Sequence, residues 1–387
     1  MKNEAGQHSH YLGREVEGPL AADVVEAGDG CVDGGTRKRV VDQLEQLRCD
    51  VLTEGLQRLV DGRARPVWSW NQRDKLCGQW LLALPGHHNG LSAAAFSEAL
   101  ASRLCLPSPA CSQLVGQRVG RRTVDVWGDS VVSEPLPGDG WRKKHDAVKL
   151  TLAGLFRWCG LQATCEVFNL FSHLIPQEGL TRMEWGRKRQ ACVPDFRVFF
   201  PTQTGGSSAR LAELKLINSC ETRYPRRWRM DRAVDRRAGL LQGEYVKKAR
   251  DVDRKFGGVQ DGQVGRVERE LGGYGPIQGL VFGAWGEASK DVHTLVETLA
   301  ECRMRSQALS RGRVEGEEVK SVVVGQIRRC LSVSVVRATS TCLLDRLHQV
   351  GRGVTGANRR REASRWQEEV MRVDRKVPGQ PGWVVRI

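Results

Sequence analysis

The sequence has no run of about 20 apolar residues, which is the length that a helix needs to span a bilayer. Its first 23 residues are polar and acidic, whereas a secretory signal is basic at its start and then apolar. None of its 12 cysteines belongs to a Cys-x-x-Cys pair, so we expect reduced thiols rather than a disulfide framework. These absences predict an intracellular protein, nuclear or cytoplasmic, that has no membrane partner.

Histidine is also scarce, with eight residues in the chain. One group of side chains, formed by His87, His88, Cys105 and Cys111, could supply four zinc ligands. A helix predicted over Ser92 to Leu104 separates the two pairs, and their spacing is not that of a zinc motif. The sequence therefore leaves a zinc site open but does not favour it.

Positive charge is abundant. Lys and Arg number 60 against 45 Asp and Glu, which gives a formal net charge of +15. A surface with this excess attracts polyanions, and nucleic acid is favoured over an anionic membrane face. We expect a nucleic-acid partner, with DNA favoured over RNA.

Composition and periodicity divide the chain into four segments. Residues 1–36 are Gly-rich, polar and without a period, which predicts a disordered leader. Residues 37–140 are mainly helical and predict an accessory region, with amphipathic spacing from Val40 to Leu59. We expect residues 141–310 to form the domain that carries the chemistry and residues 311–387 to form a basic helical C-terminal region.

Within residues 141–310, the alternation of elements predicts the fold class. A helical period from His145 to Cys159 ends at a capping glycine, Gly160. The elements expected after it are a strand over 161–171, a hairpin over 193–220, a basic helix over 230–256, a strand over 277–285 and a helix over 287–309. This order is typical of an α/β protein in which a small mixed β-sheet is flanked by helices. Additional helical regions precede and follow it.

Three charged residues lie inside the predicted hairpin. Glu213 and Lys215 leave the same face of their strand because side chains alternate along a strand. If the strand that begins at Pro194-Asp195 pairs with this one, the two carboxylates lie within roughly 5 Å of each other. Such a pair suits Mg²⁺ or Mn²⁺, and Lys215 could steady the attacking water and the charge of the transition state. A solvated hairpin face is the alternative.

At these residues the chain resembles the PD-(D/E)XK, or restriction-endonuclease-like, nuclease superfamily. Pro194-Asp195 and Glu213-Leu214-Lys215 match its motifs, and the order of elements from Trp141 to Leu309 matches its core. The resemblance implies that Asp195 and Glu213 bind the metal ion and that Lys215 is the catalytic lysine. It also implies a further upstream acid, for which Glu166 is our candidate, although we expect Glu166 on a strand and many members carry that acid on the first helix.

The basic helix is expected to bind the phosphate backbone. Some branches of the superfamily carry a Gln and a Tyr on this helix, and Gln242 and Tyr245 resemble them at a spacing shorter by one residue. A place for Tyr245 in the buried stripe is the alternative. The residues expected to contact nucleic acid are Arg226, Arg227, Arg236, Arg237, Gln242, Tyr245, Lys247 and Lys248.

Three longer stretches, "WRKKHDAVK", "CEVFNLFSHLIPQEGL" and "GQIRRCLSVSVVRA", are similar to proteins that eukaryotic retroelements encode. His145 matches a basic-His-polar motif of such proteins at the head of the first helix. The sequence thus predicts a Mg²⁺-dependent nuclease. Its rival is a catalytically inactive protein of the same fold that binds nucleic acid. The long terminal helices could also pair into a homodimer.

Overall fold

The computed structural model describes residues 74–83, 90–104, 106–134, 140–166, 170–176, 192–202, 206–219, 224, 230–311 and 317–351, together with Gln43. Apart from Gln43, these residues belong to one compact unit that runs from Val60 to Ile387. The predicted leader, most of the helix predicted over Val40 to Leu59, and the C-terminal tail after residue 351 lie outside the described residues.

The described residues form seven α-helices and six strands. The helices are α1 (Ala93–Arg103), α2 (Asp129–Ser133), α3 (Gly140–Trp158), α4 (Met230–Phe256), α5 (Arg266–Gly273), α6 (Lys290–Arg311) and α7 (Glu317–Gly351). The strands are β1 (Arg118–Val119), β2 (Arg122–Thr123), β3 (Gln162–Cys165), β4 (Phe196–Pro201), β5 (Ser207–Leu216) and β6 (Gln278–Phe282). Short 3₁₀ turns occur at Gln79–Leu82, Pro109–Cys111 and Ser172–Leu174. The α/β prediction is confirmed, and none of the described helices is long and apolar enough to cross a membrane.

The main sheet is mixed and has the strand order β3-β4-β5-β6. β4 runs antiparallel to both β3 and β5, whereas β6 runs parallel to β5. The predicted hairpin is therefore confirmed as the β4–β5 pair, in which Phe196 lies opposite Ala212. A parallel pair needs a crossover connection, and α4 and α5 supply it between β5 and β6. Sequence periodicity did not predict α5.

Helices cover both faces of this sheet because alternate residues of its strands are apolar on either side. Phe196, Leu214 and Leu280 point into a core shared with α3, α6 and α7. On the opposite face, Leu211 packs against α4 and α5, and Val281 packs against α4. Glu213 and Lys215 follow Leu211 by two and four residues, so their side chains leave the same face of β5. Both charges therefore lie on the face that α4 covers.

Helix α7 belongs to the same core as the sheet, although the sequence assigns it to a separate C-terminal region. Its apolar stripe includes Ile327, Leu331 and Val335, each 1% exposed or less, and these residues pack in one cluster with the strands. Leu76, from the predicted accessory region, lies in that cluster too. Residues from three predicted segments thus bury one hydrophobic surface together.

The region before α3 packs through a smaller cluster. Ser92 caps α1 by accepting a hydrogen bond from the N–H of Ala95 at 3.2 Å. Trp80 is 5% exposed, and its ring meets Phe96 edge to face at 5.6 Å. The backbone N–H of Trp80 donates to Ser332 Oγ on α7 at 3.0 Å. Trp80 thus belongs to a local core that includes Ala99 of α1 and Val333 of α7.

Close approach of α4 to the sheet depends on a glycine. Gly279 on β6 lies opposite Glu213 on β5. A Cβ at Gly279 would come within 2.7 Å of the Cα and Cβ of Ala238 on α4. The missing side chain therefore lets the helix backbone approach the sheet beside the charged residues of β5.

Candidate active site

The two carboxylates of the hairpin lie side by side. The β4–β5 register continues one step beyond Phe196 and brings Asp195 opposite Glu213, whose Oε2 accepts from the Asp195 backbone N–H at 3.3 Å. Asp195 Oδ2 accepts from the backbone N–H of Leu214 at 2.8 Å. The Glu213 side chain is 8% exposed and that of Asp195 is 14% exposed. Two partly desolvated carboxylates thus share one end of the sheet.

Lys215 lies two residues along the same face of β5 and forms an ion pair with Glu213 Oε1. Its side chain is 34% exposed, so the amine remains open to solvent on one side. An acid and an amine on one strand face, beside a second acid, are the arrangement that the sequence predicts. The other carboxylate oxygen of Glu213, Oε2, accepts a hydrogen bond from a residue of α4.

Tyr245 on α4 provides that contact. Its hydroxyl donates to Glu213 Oε2 at 2.6 Å and lies 3.0 Å from the carbonyl oxygen of Val193. Burial and the charge of Glu213 raise the pKa of Tyr245, so the hydroxyl keeps its proton. Tyr245 is 1% exposed and packs in the core below the sheet. Its ring therefore has no free surface for nucleic acid, contrary to the predicted contact, and the core interpretation holds.

Gln242, the other residue of that predicted pair, has a structural contact as well. Its side-chain Oε1 accepts from the backbone N–H of Ile277 at 2.7 Å. This bond ties α4 to the residue that precedes β6. The glutamine oxygen is thereby engaged inside the protein, one turn away from Tyr245.

Helix α3 contributes a histidine to the site. Nε2 of His145 lies 3.2 Å from Asp195 Oδ2, and Nδ1 lies 3.2 Å from Asp146 Oδ1. Burial alone would lower the pKa of His145, but its hydrogen bonds to Asp146 and Asp195 outweigh this effect and raise the pKa to about 9. Burial raises the pKa of Asp195, but contact with His145 more than offsets it, so that pKa is lowered.

Lys149 and Glu166 extend this network away from the hairpin. Lys149 Nζ lies 3.2 Å from Asp146 Oδ1 and forms a second ion pair with Glu166. Burial lowers the pKa of Lys149, but its hydrogen bond to Glu166 and the charge of Asp146 raise it overall. The network therefore contains four carboxylates and three cations. The carboxylates are those of Asp146, Glu166, Asp195 and Glu213, and the cations are His145, Lys149 and Lys215.

Glu166 itself departs from the prediction. The predicted strand over residues 161–171 is confirmed only at Gln162–Cys165. Glu166 follows it with a left-handed φ of 48°, the only positive φ at a non-glycine among the described residues. Its backbone N–H still donates to Asp195 O at 3.0 Å, which continues the β3–β4 pairing for one residue. The turn ends the strand and directs the 41% exposed carboxylate towards Lys149.

Asp146 and Lys149 were not predicted from the sequence, because charged residues on a helix usually belong to a solvated face. Their spacing carried a signal, since residues three and four apart lie on the same helix surface. Lys149 follows His145 by four residues and Asp146 by three. His145 was noticed through the retroelement resemblance alone. Its partner Asp195 became identifiable only when α3 was packed against the sheet.

The basic residues predicted to bind nucleic acid are distributed unevenly. On α4, Arg236 and Lys247 are exposed, and Arg237 pairs with Glu244 through both of its terminal nitrogens. Lys248 Nζ lies 4.6 Å from the ring centroid of Tyr245. Arg226 and Arg227 lie outside the described residues.

The donor set at β4 and β5 fits a hard divalent cation. Mg²⁺ is commonly bound by one or two carboxylates and completes its coordination with water and phosphate oxygens, and Asp195 and Glu213 are such a pair. Across the described residues, no cluster of three or more His, Cys, Asp or Glu side chains could hold a metal ion. Of the zinc candidates, His87, His88 and Cys105 lie outside the described residues, and Cys111 is a buried free thiol.

Comparisons of the chain with protein-family models, with curated proteins and with solved structures found no match. The contacts among Asp195, Glu213, Lys215 and the residues of α3 are therefore the basis for any function.

Proposed function

We propose that this protein is a metal-dependent nuclease that hydrolyses phosphodiester bonds of nucleic acid, with DNA as the favoured substrate. One observation carries the proposal. The β4–β5 register sets Asp195 beside Glu213, and Lys215 projects from the same strand face as Glu213. The resemblance to the PD-(D/E)XK nuclease superfamily includes the same three residues, and the net charge of +15 supports a polyanionic substrate.

In this proposal Asp195 and Glu213 hold Mg²⁺ or Mn²⁺. When bound, the ion polarises the scissile phosphate and lowers the pKa of a water molecule. Lys215 orients the attacking water and stabilises the negative charge that develops on the phosphate. Tyr245 holds the carboxylate of Glu213, and His145 holds that of Asp195, so both groups are positioned before substrate arrives.

The direct test is cleavage of labelled DNA and RNA by the purified full chain with added Mg²⁺ or Mn²⁺. We expect cleavage by the wild-type chain, and a loss of at least a hundredfold in Asp195→Ala and Lys215→Ala, because a lost transition-state contact is typically worth that much. Asp251→Asn is the matched control: this half-exposed acid pairs with Arg254 on the outer surface of α4. Equal rates in wild type and Asp195→Ala would refute the proposal.

A specific observation favours a second candidate, a catalytically inactive nucleic-acid-binding protein. Both oxygens of Glu213 already have partners, Lys215 and Tyr245, and Asp195 Oδ2 has two. In such a site Lys149, Lys215 and the protonated His145 neutralise the charge of the carboxylates, and no metal ion is needed. This candidate predicts salt-sensitive binding of nucleic acid that survives Asp195→Ala and Lys215→Ala, without any cleavage.

A further inference from the structure

Arg197 lies two residues after Asp195 on β4 and on the same face of the sheet. It pairs with Leu211 of β5 and with Thr164 of β3. Leu211 packs under α4 and α5, whereas Thr164 on the edge strand is exposed. Arg197 therefore marks the border at which the helices stop covering this face. Two residues along a strand span roughly 6.6 Å, so the Cα atoms of Arg197 and Asp195 are close neighbours on this face.

The guanidinium of Arg197 is held by aromatic rings rather than by acids. Its central carbon lies 4.9 Å from the ring centroid of Phe199 and 5.4 Å from that of Tyr274. Nε is buried and has no hydrogen-bond partner among the described residues. No carboxylate of the described residues forms an ion pair with Arg197. The four acids around the site, in contrast, each lie beside a cation: Asp146, Glu166, Asp195 and Glu213.

Such an arginine is prepared to bind an anion. Aromatic rings attract a cation and fix the plane of the guanidinium, but they leave its charge uncompensated. The planar fork of donors matches two oxygens of one phosphate group. Immobilising the side chain in advance also removes part of the entropic cost of binding.

We infer that Arg197 binds a backbone phosphate of the nucleic acid adjacent to the phosphate at Asp195 and Glu213. The inference deepens the proposed function and rests on it for the position of the substrate. Successive phosphates of a duplex strand are separated by the helical rotation as well as by an axial rise of about 3.4 Å, so their spacing is comparable with the roughly 6.6 Å between the Cα atoms of Asp195 and Arg197. Arg197 is then a positioning residue that sets the direction in which the strand crosses the site.

Arg210 offers a matched control in the same hairpin. It pairs with Val198, one residue from Arg197, and its guanidinium carbon lies 5.2 Å from the ring centroid of Phe200. Arg210 leaves β5 on the opposite face and is exposed. The two arginines thus share chemistry, an aromatic neighbour and a location in the hairpin, and they differ in whether they face the carboxylates.

The experiment measures binding of a labelled DNA duplex, and of its single strand, to the full chain in EDTA across a range of salt concentrations. For Arg197→Ala we expect a rise in Kd of roughly tenfold, the usual cost of a charged hydrogen bond, and a salt slope smaller by about one. Arg197→Lys should keep the slope and recover part of the affinity. Arg210→Ala should change neither quantity.

The outcomes separate this inference from the proposed function. Equal binding losses in Arg197→Ala and Arg210→Ala would show that only the total positive charge matters, and a lower Tm in Arg197→Ala with unchanged binding would show that Arg197 only shields the aromatic rings. Either result would overturn the inference. If Arg197→Ala changes neither binding nor cleavage, the inference about Arg197 is overturned and the nuclease proposal stands. Binding that depends on Arg197 in a chain that never cleaves would support the inference and reject the nuclease. A wild-type chain that binds no nucleic acid would overturn both.

Discussion

Asp195 is held by residues from three other elements. His145 on α3 contacts its carboxylate, the backbone N–H of Leu214 on β5 donates to the same oxygen, and the N–H of Glu166 donates to its carbonyl. Contacts from several directions fix the side chain in one orientation, which a catalytic or binding group requires. Glu213 is fixed in the same way by Lys215 and by the buried hydroxyl of Tyr245.

The hydroxyl of Tyr245 gives the first prediction at this scale. In Tyr245→Phe, the buried Oε2 of Glu213 loses its 2.6 Å donor, and we expect the free energy of unfolding to fall by about 1–3 kcal/mol. Urea denaturation measures the change. The matched control is Tyr274→Phe, because the described residues make no hydrogen bond to the hydroxyl of this half-buried tyrosine. Equal losses in the two variants would contradict the assigned role.

A buried acid outside the site gives a second prediction. Burial raises the pKa of Glu287 to about 7 from an ordinary value of 4.5. Its oxygens accept from the Tyr224 hydroxyl at 2.6 Å and from the Trp285 N–H at 3.1 Å. Because the folded state favours the protonated form, this carboxyl contributes stability below pH 4.5 and loses that contribution as the pH rises through about 7.

Glu287→Gln tests that sign, since glutamine stays neutral at every pH. We expect its free energy of unfolding, taken relative to wild type, to rise between pH 5 and pH 8, whatever constant offset the amide introduces at its contact with Trp285. Urea denaturation across this pH window measures the difference. A difference that does not change with pH would mean that Glu287 ionises normally in the folded protein.

At the scale of elements, α4 decides what the sheet can present. The helix packs Val234 and Leu241 against the sheet, brings Tyr245 to Glu213, and carries basic residues on its outer side. Its position depends on the bare backbone of Gly279, where a Cβ would meet Ala238 at 2.7 Å. Packing of one helix on one glycine thus sets the contact between Tyr245 and Glu213.

Two glycine substitutions should therefore act in opposite directions. Gly279→Ala forces α4 away from the sheet, and overpacking of this kind costs about 1–3 kcal/mol. At Gly243, which is exposed in the middle of α4, a Cβ would meet nothing within 4 Å. Gly243→Ala should therefore stabilise the protein by about 0.5–1 kcal/mol through helix propensity. Thermal and urea unfolding measure both, and a destabilising Gly243→Ala would contradict the packing described for α4.

At the scale of the whole molecule, one core joins α7 to the sheet. Leu331 on α7 is fully buried in the cluster that includes Phe196 and Leu214, the immediate neighbours of Asp195 and Glu213. Burial of this helix removes apolar surface from water for both partners at once. The sheet and the C-terminal helix are therefore expected to unfold together.

Leu331→Ala tests this coupling. Loss of a buried leucine costs about 2–5 kcal/mol, and we expect a single, weakened unfolding transition of the whole unit from Val60 to Ile387. Val322→Ala on the same helix is the control, because Val322 is 53% exposed and should change stability little. Two separate transitions in Leu331→Ala, followed by tryptophan fluorescence and circular dichroism, would show that α7 folds independently.

The sequence by itself determined the local elements, because periodicity reports which face of each segment avoids water. The hairpin, the full extent of α4 and the cap at Gly160 all follow from residue spacing and agree with the structure. The strand through Glu166 was predicted too long, since its apolar run did not reveal the left-handed turn.

Only the tertiary structure decided which charges meet. His145 lies 50 residues before its partner Asp195, and Lys149 lies 17 residues before its partner Glu166, and helix periodicity cannot tell a solvated charge from one that faces another element. Periodicity could not single out Arg197 for the same reason. Arg197 differs from other basic residues near the site because none of the described acids forms an ion pair with it. Local spacing fixes which side of an element a residue occupies, whereas packing between elements fixes what that side faces.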